Sequence, residues 1–339
     1  MPYGTVNADV IQTSTSGGIL GAGNASIMKN RFINGGMTIA QRGTSAVTDG
    51  DAFPVDRWAT ENATDGSYSA QQSSTAPAGF NYSTAITITA ADTNLTTTQR
   101  LQFYQKIEGY NFADFGWGTA DAKTVTLSFW VRSSLTGTFG GALMNSAQNR
   151  SYPYSYTISA ANTWEYKSVT ITGDTTGTWL TTNGIGCRIN WGLGVGPSFS
   201  GTANTWAGAL YFAPTGATSV VGTSGATFYI TGVQLEVGSS ATGFEYVNYQ
   251  TSLANCQRYY WQNTTTNGYY AYQYNATNKF LFVPHPVTMR TTPTATVAYT
   301  SGSFTEYNTD TQQFKAYVSS STADTTGYST TSAKFSAEL

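Results

Sequence analysis

The chain has 339 residues, of which 10 % are charged and 14 % aromatic, and its formal net charge is −2. Globular proteins usually carry about 25 % charged residues, and no Lys/Arg cluster stands out here, so nucleic acid is not an expected partner. No run approaches ~20 consecutive apolar residues, so no membrane-spanning segment is expected. The N-terminus lacks the pattern of a secretory signal.

The composition favours strands. Thr, Tyr, Val, Ile, Phe and Trp suit strands, Gly, Asn, Ser and Asp suit turns, and good helix formers other than Ala are sparse. We therefore expect an all-β protein: a jelly-roll β-sandwich followed by a smaller C-terminal β domain, with an extended N-terminal arm.

Residues 1–29 are polar and Gly-rich and lack a core pattern. They form either a loose tail or an attachment arm that docks on a larger assembly or on sister subunits. Next, Phe32-Ile33 and Met37-Thr38-Ile39 are predicted as short strands, separated by a tight turn at Asn34-Gly35-Gly36. A further strand is predicted to begin around Val55 and Trp58.

Residues 30–250 are predicted to form the sandwich, because apolar and polar residues alternate with a period of two between turn clusters. In the run 125–131, Val125, Leu127, Phe129 and Val131 are predicted to share one face. The same alternation is present at 85–89, 154–158, 166–171, 187–191 and 228–231.

Residues 251–339 are predicted to form a short helical connector and a C-terminal β domain. The helical segment is 248–262, where Leu253, Cys256 and Tyr260 fall on one helix face. Strands are predicted at 280–283 and 313–318. About 75 residues of this kind form either a small sandwich or half of one that a neighbouring subunit completes.

The usual reactive centres are scarce. His285 is the single histidine, and the prolines on both sides indicate a turn rather than a catalytic role. Cys187 and Cys256 are interpreted as buried apolar side chains. A soft metal site cannot be built from one His and two distant Cys, so no cofactor is expected.

Three carboxylates lie close together in sequence: Glu108, Asp114 and Asp121. A pair of carboxylates could serve a glycosidase, and loop oxygens with one or two carboxylates could hold a structural Ca2+. We favour a third interpretation, in which these residues form turns. No enzymatic activity is predicted.

Aromatic residues in or beside Gly-rich turns remain as candidates for function. Tyr and Trp rings can stack on the apolar faces of sugar rings while neighbouring amides and carboxylates bond the hydroxyls. Each ring taken alone is more typical of core or interface packing, but one or two of the set should face solvent. The candidate glycan-facing residues are Tyr110, Trp117, Tyr152, Tyr154, Trp179 and Trp206.

The chain also resembles a known group of proteins. The runs KNRFINGGMTIAQRGTS and FPVDRW (within 29–58), KTVTLSFWVRSS (123–134), NTWEYKSVTITGD (162–174) and ATFYITGVQLEVGSSATGFEYVNYQTSLANCQRYY (226–260) are similar to structural proteins of tailed bacteriophages, of the marine and cyanobacterial type. The stretch PHPVTMRTTPT (284–294) resembles the start of their C-terminal β region. The resemblance implies a carbohydrate-binding type of jelly roll, a virion appendage and a homotrimer, and it carries over no catalytic residues.

Three functions compete. The first is a tail fibre or spike subunit that attaches to a host surface glycan, with the N-terminal arm bound to other virion proteins. The second is a head fibre, decoration or collar component with a purely structural role, and the third is a polysaccharide depolymerase. The first is the predicted function, and the virion is the predicted location.

Overall fold

The computed structural model describes residues 10–12, 19–21, 28–48, 52–265, 269–273, 278–299, 304–319 and 329–339. These residues are almost entirely β-structure, which confirms the predicted fold class. Most of the predicted N-terminal arm, 1–29, lies outside them. From its N-terminal part, the hairpin of β1 (Val10–Gln12) and β2 (Ile19–Gly21) is described.

The first domain is a jelly-roll β-sandwich. Its strands are β3 (Ala52–Val55), β4 (Trp58–Asn62), β5 (Ser67–Ser73), β6 (Ser83–Ala90), β7 (Arg100–Glu108), β8 (Val125–Ser133), β9 (Gly137–Met144), β10 (Ser151–Ile158), β11 (Glu165–Ile171), β12 (Ile185–Val195), β13 (Ser200–Gly201), β14 (Ala213–Pro214) and β15 (Thr227–Val237). Three-residue 3-10 helices lie at Gly109–Asn111, Ala113–Phe115 and Pro197–Phe199.

Two antiparallel sheets face each other, and the chain crosses repeatedly from one to the other. One sheet has the order β10-β9-β12-β7-β4-β3, and the other has the order β11-β8-β15-β6-β5. The short strands β13 and β14 form a separate parallel pair.

The core between the sheets follows the predicted alternation. The inward face of β8 is fully buried and consists of Val125, Leu127, Phe129 and Val131. At the centre, the ring of Trp58 lies 5.2 Å from that of Phe103 and 5.7 Å from that of Trp191. Full burial of one large apolar side chain is worth about 1.5–3 kcal/mol, so this aromatic centre is a main source of stability.

The strands predicted at 32–33 and 37–39 do not form. The Asn34 side chain accepts the backbone N–H groups of Thr38 at 2.8 Å and Ile39 at 3.0 Å, and its amide donates to the carbonyl oxygens of Ile39 and Asp56, both at 2.9 Å. These bonds satisfy the backbone groups that a sheet ladder would otherwise use. The apolar side chains of the segment are nevertheless buried, namely those of Phe32, Met37 and Ile39.

A group of contacts that we term the sandwich clamp joins the start of the domain to its end. Lys29 Nζ donates to the Gly243 carbonyl at 2.5 Å, and the Asn30 N–H donates to the Glu245 carboxylate at 2.6 Å. The Asn30 side chain also donates to the Val233 carbonyl at 2.9 Å. The chain therefore enters and leaves the sandwich side by side.

A helix forms within the predicted connector. Helix α1 (Tyr249–Gln257) begins where the Asn248 side chain accepts the Thr251 N–H at 2.9 Å, which is an ordinary N-cap. It ends earlier than predicted, since Tyr260 already belongs to a strand. The described helices include none with the length and apolarity needed to cross a membrane.

The strands after α1 form a second, smaller sandwich. They are β16 (Tyr260–Asn263), β17 (Tyr272–Gln273), β18 (Asn278–Pro284), β19 (Thr294–Tyr299), β20 (Thr305–Glu306), β21 (Gln313–Ser319) and β22 (Thr330–Ser336). One sheet has the order β16-β22-β19 and the other β17-β18-β21-β20. Their shared core contains Trp261, Leu281, Val283, Met289, Phe314 and Phe335.

A buried arginine joins the two sandwiches. Arg57 pairs with Glu338, donates to the Lys106 carbonyl at 2.7 Å and lies 3.6 Å from the ring centre of Tyr259. Lys106 in turn donates to the Leu339 carbonyl at 2.6 Å. Because a buried charge requires its partner, these contacts hold the second sandwich in a fixed orientation.

The two cysteines and the histidine are structural, as predicted. Cys187 and Cys256 are buried free thiols, and burial raises the pKa of each. His285 lies in the second core, where its Nδ1 accepts the Trp261 indole N–H at 3.1 Å. Burial lowers the pKa of His285 below its usual 6.5.

Candidate functional site

The six predicted glycan-facing aromatics divide into two groups. Tyr110 is exposed over 62 % of its surface and Trp206 is partly exposed. The sequence analysis expected one or two of the set to face solvent. The other four candidates are buried: Trp117 at 5 % exposure, Tyr152 at 6 %, Tyr154 at 0 % and Trp179 at 7 %.

Four of the predicted residues converge on one aromatic cluster at an end of the sandwich. The ring of Trp117 lies 4.8 Å from that of Trp179 and 5.2 Å from that of Trp206, and Tyr152 lies 5.1 Å from Trp206. The edge-to-face arrangement of the tryptophans is the favourable one for such pairs. The sequence analysis selected these residues and named packing as the more typical role of each ring, but it did not predict that they meet in one cluster.

Hydrogen bonds explain why these indoles turn inward. The indole N–H of Trp117 donates to the Lys123 carbonyl at 2.8 Å, and that of Trp206 donates to the Thr172 carbonyl at 2.8 Å. Each ring therefore fixes a loop backbone. A Gly-rich loop has few side chains of its own, so its large aromatics are used to anchor it.

The three carboxylates that were candidates for catalysis or metal binding do not form a common site. Asp114 pairs with Arg31 at 2.7 Å, and Asp121 is an exposed loop residue. Glu108 is buried and accepts two hydrogen bonds from Arg258, at 2.6 and 3.0 Å, and one from the Tyr259 hydroxyl. Burial tends to raise the pKa of Glu108, but the bonds from Arg258 and Tyr259 outweigh burial and keep it below 4.5.

A carboxylate held in this way remains ionised at neutral pH and is a poor proton donor. Within the part of the chain that the structure describes, no group of three or more His, Cys, Asp and Glu side chains could hold a metal ion. The possibility of a structural Ca2+ stays a prediction.

A groove of about 820 Å³ lies between the first sandwich and helix α1. Sites for small ligands usually occupy about 300–1,000 Å³. Its sides are formed by residues 28–38, the loop 79–81, the 3-10 helix after β7, the segment 244–248 and helix α1. We call it the connector groove.

One wall of the connector groove is a cluster of three aromatics. The ring of Phe244 lies 5.0 Å from that of Phe80 and 5.1 Å from that of Tyr246. Phe80 sits on Gly232, where a Cβ atom would come within 2.6 Å of the ring. Tyr246 donates its hydroxyl to the Gly79 carbonyl at 3.0 Å and is exposed over 67 % of its surface. This wall therefore offers a fixed aromatic face to solvent.

Tyr110 also lines the groove. Its backbone N–H donates to the Thr182 carbonyl at 3.0 Å, and the N–H of Gly109 donates to the Gly184 carbonyl at 2.8 Å. The backbone is thus tied down while the side chain projects outward. Tyr110 is the predicted residue that the structure places at the edge of this groove.

The polar groups of the groove are mostly neutral. Asn81, Asn111 and Asn255 line it, and within the described residues their side-chain amides form no hydrogen bond. The two arginines of the lining, Arg31 and Arg258, are paired with carboxylates. The groove therefore combines exposed aromatic rings, amides without hydrogen bonds, two paired arginines and the carboxylate of Glu245, which accepts the Asn30 N–H.

The sequence analysis did not select the aromatics of the wall. In the stretch GFEYVNY (243–249), which follows the last strand of the sandwich after a short turn, the aromatic residues Phe244 and Tyr246 are separated by the polar Glu245. This period-two alternation could have identified them as candidates. Phe80 carried no such signal.

No protein-family model matches the chain, and no curated protein matches it. Among solved structures, it is similar over 62 % of its length to a putative sugar binding protein from Bacteroides thetaiotaomicron, with 13 % identity, a TM-score of 0.35 and 100 % of that chain covered. It is also similar to a family 11 carbohydrate-binding module of Clostridium thermocellum, with 11 % identity, a TM-score of 0.30, 59 % of this chain covered and 98 % of that one.

A third similar structure is the enzymatically active domain of tailspike protein 4 of bacteriophage CBA120. Identity is 12 % and the TM-score is 0.32, with 63 % of this chain covered. The match spans 24 % of the tailspike chain, about a quarter of its length. At such identities and TM-scores the function has to be argued from the residues themselves.

Proposed function

We propose that this chain is a non-catalytic glycan-attachment subunit of a virus particle, a tail fibre or spike protein of a tailed bacteriophage of the marine or cyanobacterial type. The observation that carries the proposal is the connector groove, which exposed tyrosines and amides without hydrogen bonds line together. Aromatic faces stack on sugar C–H surfaces, and amides bond sugar hydroxyls.

The charge balance of the groove supports a neutral sugar as its ligand. Its guanidinium groups, on Arg31 and Arg258, are already bonded to Asp114 and Glu108. Breaking either pair for a charged sugar would strand a carboxylate, at a cost of several kcal/mol for the buried Glu108. A neutral chain of sugars requires no such exchange.

Attachment by a single groove is expected to be weak, and a homotrimer would strengthen it through multivalency. The predicted homotrimer and the docking of the N-terminal arm on other virion proteins belong to this proposal. The arm lies outside the described residues, except for the short hairpin strands and its last two residues, Met28 and Lys29.

The test is glycan binding by the full chain. A glycan array, followed by calorimetry on the best neutral oligosaccharide, should detect binding that Tyr246→Ala and Tyr110→Ala each weaken by about tenfold. Tyr270→Ala is the matched control, since Tyr270 is 63 % exposed in the second sandwich and does not line the groove. Equal affinities for all of these variants would refute the groove as the site.

A further inference from the structure

A second aromatic surface lies on the outer face of the five-stranded sheet. We call it the sheet platform and define it as Trp130, Arg132, Trp164, Tyr166 and Tyr229. Directly paired residues of an antiparallel sheet project to the same side, and the register pairs Tyr166 with Trp130 and Tyr229 with Arg132. The side chains opposite to this face are the buried core residues of β8.

The rings of the platform form two neighbouring pairs. Trp130 and Tyr166 lie 5.5 Å apart, and Trp164 and Tyr229 lie 6.2 Å apart. Tyr166 is exposed over 44 % of its surface, and the other members are partly exposed. Two exposed hydroxyl-bearing residues, Ser168 and Thr170, lie on the same strand as Tyr166.

Arg132 lies beside the ring of Tyr229 and leaves most of its donors unused. Its guanidinium lies 4.9 Å from the Tyr229 ring centre, and its Nε donates to the Asn162 carbonyl at 2.8 Å. Within the described residues no carboxylate pairs with Arg132, and its two Nη groups have no acceptor.

The other described arginines differ. Most pair with a carboxylate, namely Arg31, Arg42, Arg57, Arg100, Arg150, Arg188 and Arg258. Arg290 instead uses three nitrogens to bond the carbonyls of Ala337, Asn183 and Glu338. The guanidinium of Arg132 is therefore positioned by the hydrogen bond of its Nε, while its two Nη groups remain available as donors.

We infer that the sheet platform binds a carboxylated sugar, a uronate unit of an acidic polysaccharide. A guanidinium presents its N–H groups in the fork that matches a carboxylate, and the tyrosines and tryptophans supply the ring faces for the sugar itself. The inference rests on the glycan attachment proposed above but concerns a different face and a different class of sugar.

The platform differs from the connector groove in its charge. In the groove each arginine is neutralised, whereas on the platform the Arg132 charge is unpaired within the described residues. We therefore expect neutral sugars to bind in the groove and acidic sugars to bind on the platform. Binding at the platform should weaken with salt, because an exposed ion pair is screened at ionic strengths above about 0.1 M.

The experiment uses the full chain and three probes: oligogalacturonate, oligoalginate and a neutral galactose oligomer of the same length. Calorimetry should detect binding of at least one uronate probe, and Arg132→Gln should weaken it by at least about tenfold, the effect of losing a charged hydrogen bond. Tyr166→Ala should weaken it as well. Lys334→Gln removes the same charge from an exposed site on the second sandwich and should leave the affinity unchanged.

Each of these binding results would overturn the inference: binding of neither uronate probe, a loss of neutral-oligomer binding in Arg132→Gln as large as its loss of uronate binding, or an Arg132→Gln affinity for uronate equal to that of the wild type. A change of oligomeric state in Arg132→Gln, seen by sedimentation, would assign the platform to subunit contacts and also overturn it. Tyr246→Ala should not affect uronate binding. If Tyr246→Ala loses neutral-sugar binding and keeps uronate binding, the groove proposal stands whatever the outcome of the Arg132→Gln test.

Discussion

The ion pair between Arg258 and Glu108 allows a quantitative test of how the connector is held. The Glu108 side chain is 1 % exposed, whereas that of Arg258 is 32 % exposed. Substitution of Arg258 by Met removes the partner that water can reach and strands a buried carboxylate. Loss of one partner of a buried pair costs about 3–5 kcal/mol. We expect about 3 kcal/mol, because the Tyr259 hydroxyl still donates to Glu108.

The reverse substitution, Glu108→Gln, provides the control. It leaves Arg258 unpaired, but that guanidinium is partly exposed and can be hydrated, so a loss of only about 1–2 kcal/mol is expected. Urea unfolding at pH 7, monitored by near-UV circular dichroism, measures both free energies of unfolding. A smaller loss for Arg258→Met than for Glu108→Gln would refute the reasoning.

The dependence on pH follows from the same pair. In the wild type the Glu108 pKa is lowered, so the pair stabilises the fold above about 4.5 and this contribution is lost as the pH falls through the lower folded value. In Arg258→Met, burial still raises the pKa of Glu108, and only the Tyr259 hydroxyl and the Arg290 charge remain to lower it. Its penalty should therefore diminish as acid neutralises the carboxylate, and the variant should approach the wild type at low pH.

Two further predictions concern packing and a second titration. Gly35→Ala should cost more than about 2 kcal/mol in urea unfolding, because its Cβ would lie 2.2 Å from the Val233 carbonyl oxygen. The control is Gly243→Ala, whose Cβ would have nothing within 4 Å and whose stability should stay near that of the wild type. Similar losses for both variants would contradict this prediction. Burial lowers the pKa of His285 in the folded chain. Above about pH 6.5, His285 is therefore neutral in both the folded and the unfolded chain, and below that pH the unfolded chain takes up the proton first. The second sandwich should therefore lose stability in urea unfolding as the pH falls below about 6.5, and His285→Gln should not show that loss.

Much of the fold could be predicted from the sequence, because period-two alternation identifies a strand whenever one face is buried. The run 125–131 is the plain example: its alternate residues are fully buried in β8. The segment 32–39 has the same kind of apolar pattern but is no strand. The side chain of Asn34 satisfies the backbone there, and only the three-dimensional neighbourhood of Ile39 and Asp56 reveals it.

The candidate site was less predictable. Loop position made Trp117 and Trp179 candidates for exposure, yet both pack into the core of the first sandwich. Tyr110 was selected correctly as a solvent-facing ring. The wall of Phe80, Phe244 and Tyr246 joins residues more than 160 positions apart, and a groove formed by such distant segments leaves no local pattern in the chain.

The sandwich clamp has a mechanical consequence for the first sandwich. Lys29 and Asn30 are bonded to Gly243, Glu245 and Val233, and Val233 belongs to β15. Tension applied between residue 28 and helix α1 would therefore load these three bonds first and would reach the five-stranded sheet through β15. We expect the strand pairs of that sheet to stay intact until the clamp opens.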